Sequence, residues 1–321
     1  MVSRPEISAA PDSSFHEGSP ASITRIGWHG WPDCLLIQNG HVEAVIVPSI
    51  ARVMQLRLSG DSEGVFWENR TLDGQLHPKA AHHSLVDQWL NFGGDKCWPA
   101  PQASWTLQQG RYWPPPVAFD RQPMEAIEAE GGIVLTSSID PAFGIQIVRK
   151  VELVPGQPVM RVRTEFDKLA GSPVKVGVWT ITEMREPERI AILLPAESKF
   201  ANGYVRLMGA EPADLMIKGG LLSLARHHRE VVKIGTDGTS MIWVGRSCVV
   251  RIDAEQGTGE FPDGGCVTQV YTNPDPMNYV ELETNGPLVT MNIGDRIERT
   301  TIYTITPRTT ADPQSEAIKA L

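Results

Sequence analysis

Two carboxylates two residues apart, in Tyr279-Val280-Glu281-Leu282-Glu283, are the first candidates for acid–base chemistry. Strand side chains repeat every two residues, so Tyr279, Glu281 and Glu283 share one face. Buried together, the two carboxylates would raise each other's pKa; exposed, they would only decorate a solvated face. A second constellation is Gly93-Gly94-Asp95-Lys96. The glycines let the backbone turn sharply or approach a ligand closely. Asp95 and Lys96 could hold ligand hydroxyls, with Lys96 available to an acidic group or a phosphate. As an internal ion pair they would simply lock the loop. Trp98, Trp105, Tyr112 and Trp113 could be stacking platforms for the apolar face of a ring, or a minor core beneath a loop. His82 and His83 are candidate proton donors, with Lys96 as a further one; surface or helix-capping decoration is their plainer role. His227-His228, between Arg226 and Arg229, reads as an exposed basic patch.

Other chemistries are disfavoured. His77, His82, His83 and Asp87 match no metal-binding spacing such as HExxH, so no metal is expected. There is no Walker A stretch, Rossmann fingerprint or G-x-S-x-G elbow, which argues against nucleotide cofactors and serine hydrolysis; no cofactor is expected. The four cysteines (Cys34, Cys97, Cys248 and Cys266) lack CxxC spacing and read as buried thiols of a cytoplasmic protein. A formal charge of −9 on 321 residues argues against nucleic acid or an anionic membrane as partner. No apolar run is long enough to span a bilayer. Residues 1–20, rich in Ser, Pro and Ala, read as a flexible tail without a secretory signal.

The elements that must position these residues are strands. Period-2 apolar runs occur at 34–38, 42–48, 52–58, 132–139, 145–154, 159–166 and 174–184, and again at 231–234, 241–244, 249–252, 267–271, 279–283, 288–292 and 296–305. Asn39-Gly40, Ser59-Gly60, Pro155-Gly156, Asp237-Gly238 and Asn285-Gly286 punctuate them as turns. Only 82–91 and 314–320 read as short helices. The pattern predicts an all-β antiparallel sandwich over 21–308, as one domain, followed by a tail or short helix over 309–321. One segment departs from it: 67–123 holds Trp67, Trp89, Trp98, Trp105, Trp113 and Pro114-Pro115-Pro116. It reads as a long structured loop excursion over one end of the sandwich.

Three stretches carry a family resemblance. Val45-Ile46-Val47-Pro48-Ser49-Ile50-Ala51-Arg52-Val53-Met54-Gln55-Leu56 resembles the opening hairpin of galactose mutarotase-like (aldose 1-epimerase-like) proteins. The run Tyr279 to Glu283, then Gly286-Pro287-Leu288, Ile293-Gly294-Asp295 and residues 300–305, is similar to the family's glutamate strand, turn and last strand. Asn91-Phe92-Gly93-Gly94-Asp95-Lys96-Cys97-Trp98-Pro99-Ala100-Pro101-Gln102 resembles the signature of an uncharacterised, DUF4380-type bacterial branch. The matches span roughly 30–305 and imply a β-supersandwich with a small-molecule sugar site on a concave face. They imply sugar epimerisation (mutarotation), with Glu283 as the general base. The strand 176–182, which in relatives carries a histidine, has none here; the acid would come from His82 or His83. With the side-chain chemistry above, these motifs make Arg52, Asp95, Lys96, Trp98, Gln102, Trp105, Trp113, Trp179 and Glu281 the candidate substrate-binding residues. A non-catalytic sugar-binding protein, or a hydrolase or lyase on the same scaffold, are the alternatives.

Overall fold

Alternation in the sequence decides which side chains turn inward. In β8 (Ile145–Leu153) and β9 (Val159–Lys168) every second residue is buried, as strands with one face on a core require. The computed structural model describes residues 21–76, 89–255 and 257–321. They form two antiparallel sheets. The first runs β1 (Ser22–Trp28), β2 (Trp31–Gln38), β3 (Val42–Val47), β4 (Arg52–Leu58), β5 (Asp95–Ala100) and β10 (Val174–Arg185). It continues through β19 (Tyr279–Asn285), β18 (Thr268–Thr272), β15 (Val232–Thr236) and β12 (Val205–Gly209), with β20 (Val289–Met291) also paired to β10. The second runs β13 (Ala213–Lys218), β14 (Leu221–Ala225), β11 (Arg189–Leu193), β16 (Ser240–Val244) and β17 (Cys248–Ala254). It ends with β21 (Arg296–Pro307), β9, β8, β7 (Gly132–Thr136) and β6 (Glu125–Ala129). The all-β antiparallel sandwich expected from the alternation is the observed architecture.

One hydrophobic cluster joins the sheets: Val178, Val270, Val280 and Leu282 from the first, Val162, Val250, Tyr303 and Ile305 from the second. Burying each such aliphatic chain contributes about 1.5–3 kcal/mol. A polar tie crosses the same interior. Asp95 on β5 pairs with Arg149 on β8 and accepts from Thr182 Oγ1 at 2.9 Å and Tyr303 Oη at 2.7 Å.

β10 is buried along almost its whole length, on both faces. Its even-numbered residues Val178, Thr180 and Thr182 line the interior opposite Thr284 and Leu282, while Trp179, Ile181 and Glu183 face the other way. The stretch 67–123 is less of a loop than its composition predicts. It supplies β5, which lies between β4 and β10 in the first sheet, and two short helices, α1 (Trp105–Gln109) and α2 (Val117–Asp120). β5 escapes pattern reading because Asp95, Lys96 and Pro99 interrupt any apolar alternation, and its register with β10 supplies the order instead. Of the two expected helices, α3 (Pro313–Lys319) forms, capped by Asp312. Most of 82–91 lies outside the described residues, and 89–91 are not helical.

Candidate functional site

The outward face of the first sheet carries an array of charged and aromatic groups. Antiparallel register places Lys96 opposite Ile181, Ile181 opposite Glu283, and Glu283 opposite Gln269. One step along, Glu183 lies opposite Glu281, and Glu281 opposite Tyr271, which faces Lys233. Directly paired residues point to the same side, so five strands deliver three glutamates, two lysines and two tyrosines to one surface.

The charges pair in a fixed way. Lys96 and Glu183, both fully buried, form one ion pair, and Asn91 Nδ2 donates to the second Glu183 oxygen at 2.9 Å. Lys233 Nζ lies 2.9 Å from Glu283 Oε2, which also accepts from Trp179 Nε1 at 2.7 Å. Three carboxylates thus meet two ammonium groups. Glu281 is left over: among the described residues no side chain hydrogen-bonds or ion-pairs with it. Burial pushes its carboxyl up to about 8; Lys96 and Lys233 oppose the rise, and Glu183 and Glu283 add to it. Burial, with the Glu281 charge beside them, also pushes the Tyr271 and Tyr279 phenols up, so both remain hydrogen-bond donors.

Tryptophans form one wall. Trp98 packs edge-on against Trp179 with ring centroids 5.5 Å apart, against Trp105 at 5.6 Å and against Trp113 at 5.8 Å. Lys96 Nζ lies 5.0 Å from the Trp98 centroid and 5.4 Å from that of Trp89, and Lys233 Nζ lies 4.7 Å from that of Trp179. Asp120, at the end of α2, fixes this wall from behind. Its carboxylate accepts from Trp89 Nε1 at 2.7 Å and Trp98 Nε1 at 3.1 Å, and it pairs with buried Arg52 at 2.8 Å.

Four buried polar atoms near this face have no protein partner: Glu283 Oε1, Gln269 Oε1, Asn285 Nδ2 and Asn91 Oδ1. Such atoms are rare in folded proteins because each unmet group costs about 1–3 kcal/mol. Three acceptors and a donor beside a tryptophan wall match the chemistry of a ligand rich in hydroxyls.

No protein-family model and no curated protein matches the sequence. Solved structures are similar in shape. A galactose mutarotase-like protein from Lactobacillus casei superposes with a TM-score of 0.55 at 10% identity, over 85% of this chain and 100% of that one. A candidate mutarotase, YeaD, from Salmonella typhimurium gives 0.55 at 12% identity, over 89% and 94%. The Slr1438 protein from Synechocystis gives 0.55 at 13% identity, over 92% and 99%. The fold is galactose mutarotase-like.

On this galactose mutarotase-like scaffold the expected residues divide into groups. Glu283, Glu281, Lys96, Trp98 and Trp179 come together on the outward face, with Trp113 at the exposed end of the tryptophan wall. Asp95 points the opposite way, between the sheets, because it neighbours Lys96 on a strand. Arg52 stands behind the wall, held by Asp120 rather than aimed outward. Trp105 is fully buried and donates to the Pro99 carbonyl at 2.8 Å, so it belongs to the packing. Gln102 lies in the turn after β5, partly exposed. His82 and His83, with His77 and Asp87, lie outside the described residues. His228 joins a surface network with Arg226, Glu186 and Asp275. Glu183, Lys233, Tyr271 and Asp120 were not anticipated. The first two had a readable signal: each is a charge inside an otherwise apolar strand. Among the described residues no cluster of three His, Cys, Asp or Glu side chains is placed to hold a metal, and no helix is long and apolar enough to cross a membrane.

Proposed function

We propose that the outward face of the first sheet binds the ring form of a sugar or sugar derivative and catalyses its epimerisation at the anomeric carbon. The observation that carries this reading is the set of unpartnered buried atoms, Glu283 Oε1, Gln269 Oε1 and Asn285 Nδ2, beside the Trp98–Trp179 wall. In this reading Glu283 Oε1 takes the proton of the anomeric hydroxyl. The bond from the anomeric carbon to the ring oxygen then breaks, and the ring oxygen takes a proton from Glu281. Rotation about the adjacent carbon–carbon bond and reversal of both transfers give the other anomer. Glu281 suits the acid role because its carboxyl holds a proton up to about pH 8. The two glutamates then have separate duties set by separate surroundings: a lysine and an indole on Glu283, no cation bonded to Glu281. The Gly-Gly-Asp-Lys stretch supports the uncharacterised bacterial branch, and the four free, buried thiols support a small-molecule ligand met in the cytoplasm.

The test is saturation-transfer NMR of anomer exchange across a panel of aldoses, uronic acids and sugar phosphates. Loss of one positioned base costs about 10²–10⁴ in rate. Glu283→Gln is expected to lose turnover on that scale while keeping its fold and most ligand binding. A second reading, binding without catalysis, draws on the double hold of Trp179 and Lys233 on Glu283. Tight binding with no exchange catalysed by wild type on any sugar of the panel would establish it.

A further inference from the structure

A separate polar cleft opens at the β1–β2 turn. It has a volume of about 360 Å³ and is lined by Trp28, His29, Gln55, Trp67, Glu68 and Arg70, among others. That is within the range of small-ligand pockets and near its lower end, the size for one ring. A neighbouring cavity of about 710 Å³ shares Trp67 and Arg185 with it, so the cleft continues along the surface.

Its groups are held in place. Glu68, nearly buried, accepts from Gln55 Nε2 at 2.6 Å and from Trp28 Nε1 at 3.3 Å. Arg70 Nη1 lies 2.6 Å from His29 Nε2. The same Nε2 lies 3.4 Å from Glu68 Oε2, so the imidazole is held between a guanidinium and a carboxyl. His29 (φ 45°) and Gly30 (φ 90°) both take the left-handed backbone that a two-residue hairpin turn requires, which fixes where the imidazole stands at the mouth of the cleft. The turn is fixed from below: a Cβ on Gly30 would sit 3.0 Å from the Gly74 Cα, and Trp31 Nε1 donates to the Gln75 carbonyl at 2.6 Å. Burial lowers the His29 imidazole and raises the Glu68 carboxyl. The lining then offers two indoles, the Glu68 carboxyl, an amide, an imidazole and the Arg70 guanidinium, with Arg185 at the edge already paired to Glu63 at 2.6 Å.

We propose that this cleft is a second carbohydrate subsite, for a neutral pyranose unit stacked on Trp28 or Trp67 with its hydroxyls on Glu68, His29 and Arg70. Trp67 also packs against Tyr279, with ring centroids 4.6 Å apart, so the cleft and the glutamate face meet at a shared aromatic pair. The proposal shares the carbohydrate reading but needs no chemistry at Glu283.

The probes are methyl β-D-galactopyranoside and methyl β-D-glucopyranoside, whose blocked anomeric centres bind without epimerising. Two indole N–H resonances report separately: Trp28, bonded to Glu68, and Trp179, bonded to Glu283. A saturable shift of the Trp28 resonance is expected in wild type and equally in Glu283→Gln. It should weaken at least tenfold in Glu68→Ala and in His29→Ala, with the Trp179 response and the circular dichroism of each variant unchanged. Should Glu68→Ala fail to fold, His29→Ala alone decides. The proposal is overturned if neither glycoside shifts Trp28, or if the shift survives both substitutions. Silence at Trp179 with a response at Trp28 would instead count against the glutamate face alone.

Discussion

Removing the Asp95 carboxylate should damage stability and leave ligand recognition intact. In Asp95→Ala the Arg149 guanidinium, about 1% exposed, stays between the sheets without its anion. Breaking a buried pair by removing one partner costs about 3–5 kcal/mol, because the remaining charge is uncompensated. Thr182 Oγ1 and Tyr303 Oη also lose an acceptor, but they lie 2.9 Å from each other and can still bond, so little is added for them. Against a total of about 5–15 kcal/mol for a typical protein, the loss is a large fraction. The assay is urea denaturation followed by tryptophan fluorescence, with the slope checked so that midpoints can be compared. Asp95→Leu with Arg149→Met removes both charges and should recover more than half of the loss, since an apolar replacement of a buried pair is often neutral or better. A cost below about 1 kcal/mol for Asp95→Ala would refute the reasoning. So would a double variant no more stable than the single one. Weakened sugar binding by a folded, stable Asp95→Ala would return Asp95 to the ligand site.

Two further outcomes follow from the same physics. The Glu281 carboxyl, raised to about 8, keeps its proton between about pH 4.3 and 8 while the unfolded chain loses it, so its contribution destabilises the native state progressively as pH rises through that window. Glu281→Gln should therefore match wild type near pH 4 and be more stable at pH 9 by about 1–3 kcal/mol, discounted for its partial exposure; an equal difference at both pH values would contradict the assigned direction. Trp105→Ala should cost about 3–5 kcal/mol, as for a buried aromatic, whereas Trp113→Ala, at 41% exposure, should cost far less and show its effect in ligand-dependent fluorescence. Similar denaturation midpoints for the two would erase the distinction between packing and wall.

Much of the fold was legible because half-buried strands write their faces into the sequence. Each of the fourteen apolar runs contains or overlaps an observed strand, and 52–58 coincides with β4. Seven strands escaped: β11 and β14 are short buried runs with no alternation, β1 and β6 contain no buried residue, and the other three divide in two. β5 carries Asp95, Lys96 and Pro99, whose partners lie far along the chain; β12 and β13 are largely exposed and so lack an apolar face. The site was legible only in part, for a related reason. Glu281 and Glu283 stand two apart on one strand, so local spacing reveals their shared face. The Lys96–Glu183 pair spans 87 residues and the Lys233–Glu283 pair 50, and only sheet register brings them together. Asp95 and Lys96 are adjacent in sequence and on opposite faces in space.

The double-sided burial of β10 has a consequence for motion. Trp179, Ile181 and Glu183 share their backbone with Val178, Thr180 and Thr182, which are set into the interior between the sheets. β10 therefore cannot shift or tilt without opening the core, and its amides are expected to exchange hydrogen only on global unfolding. Any fitting of the proposed ligand would then come from side-chain rotamers at the rim and from the connections around it. The floor of the proposed site is as stiff as the protein itself.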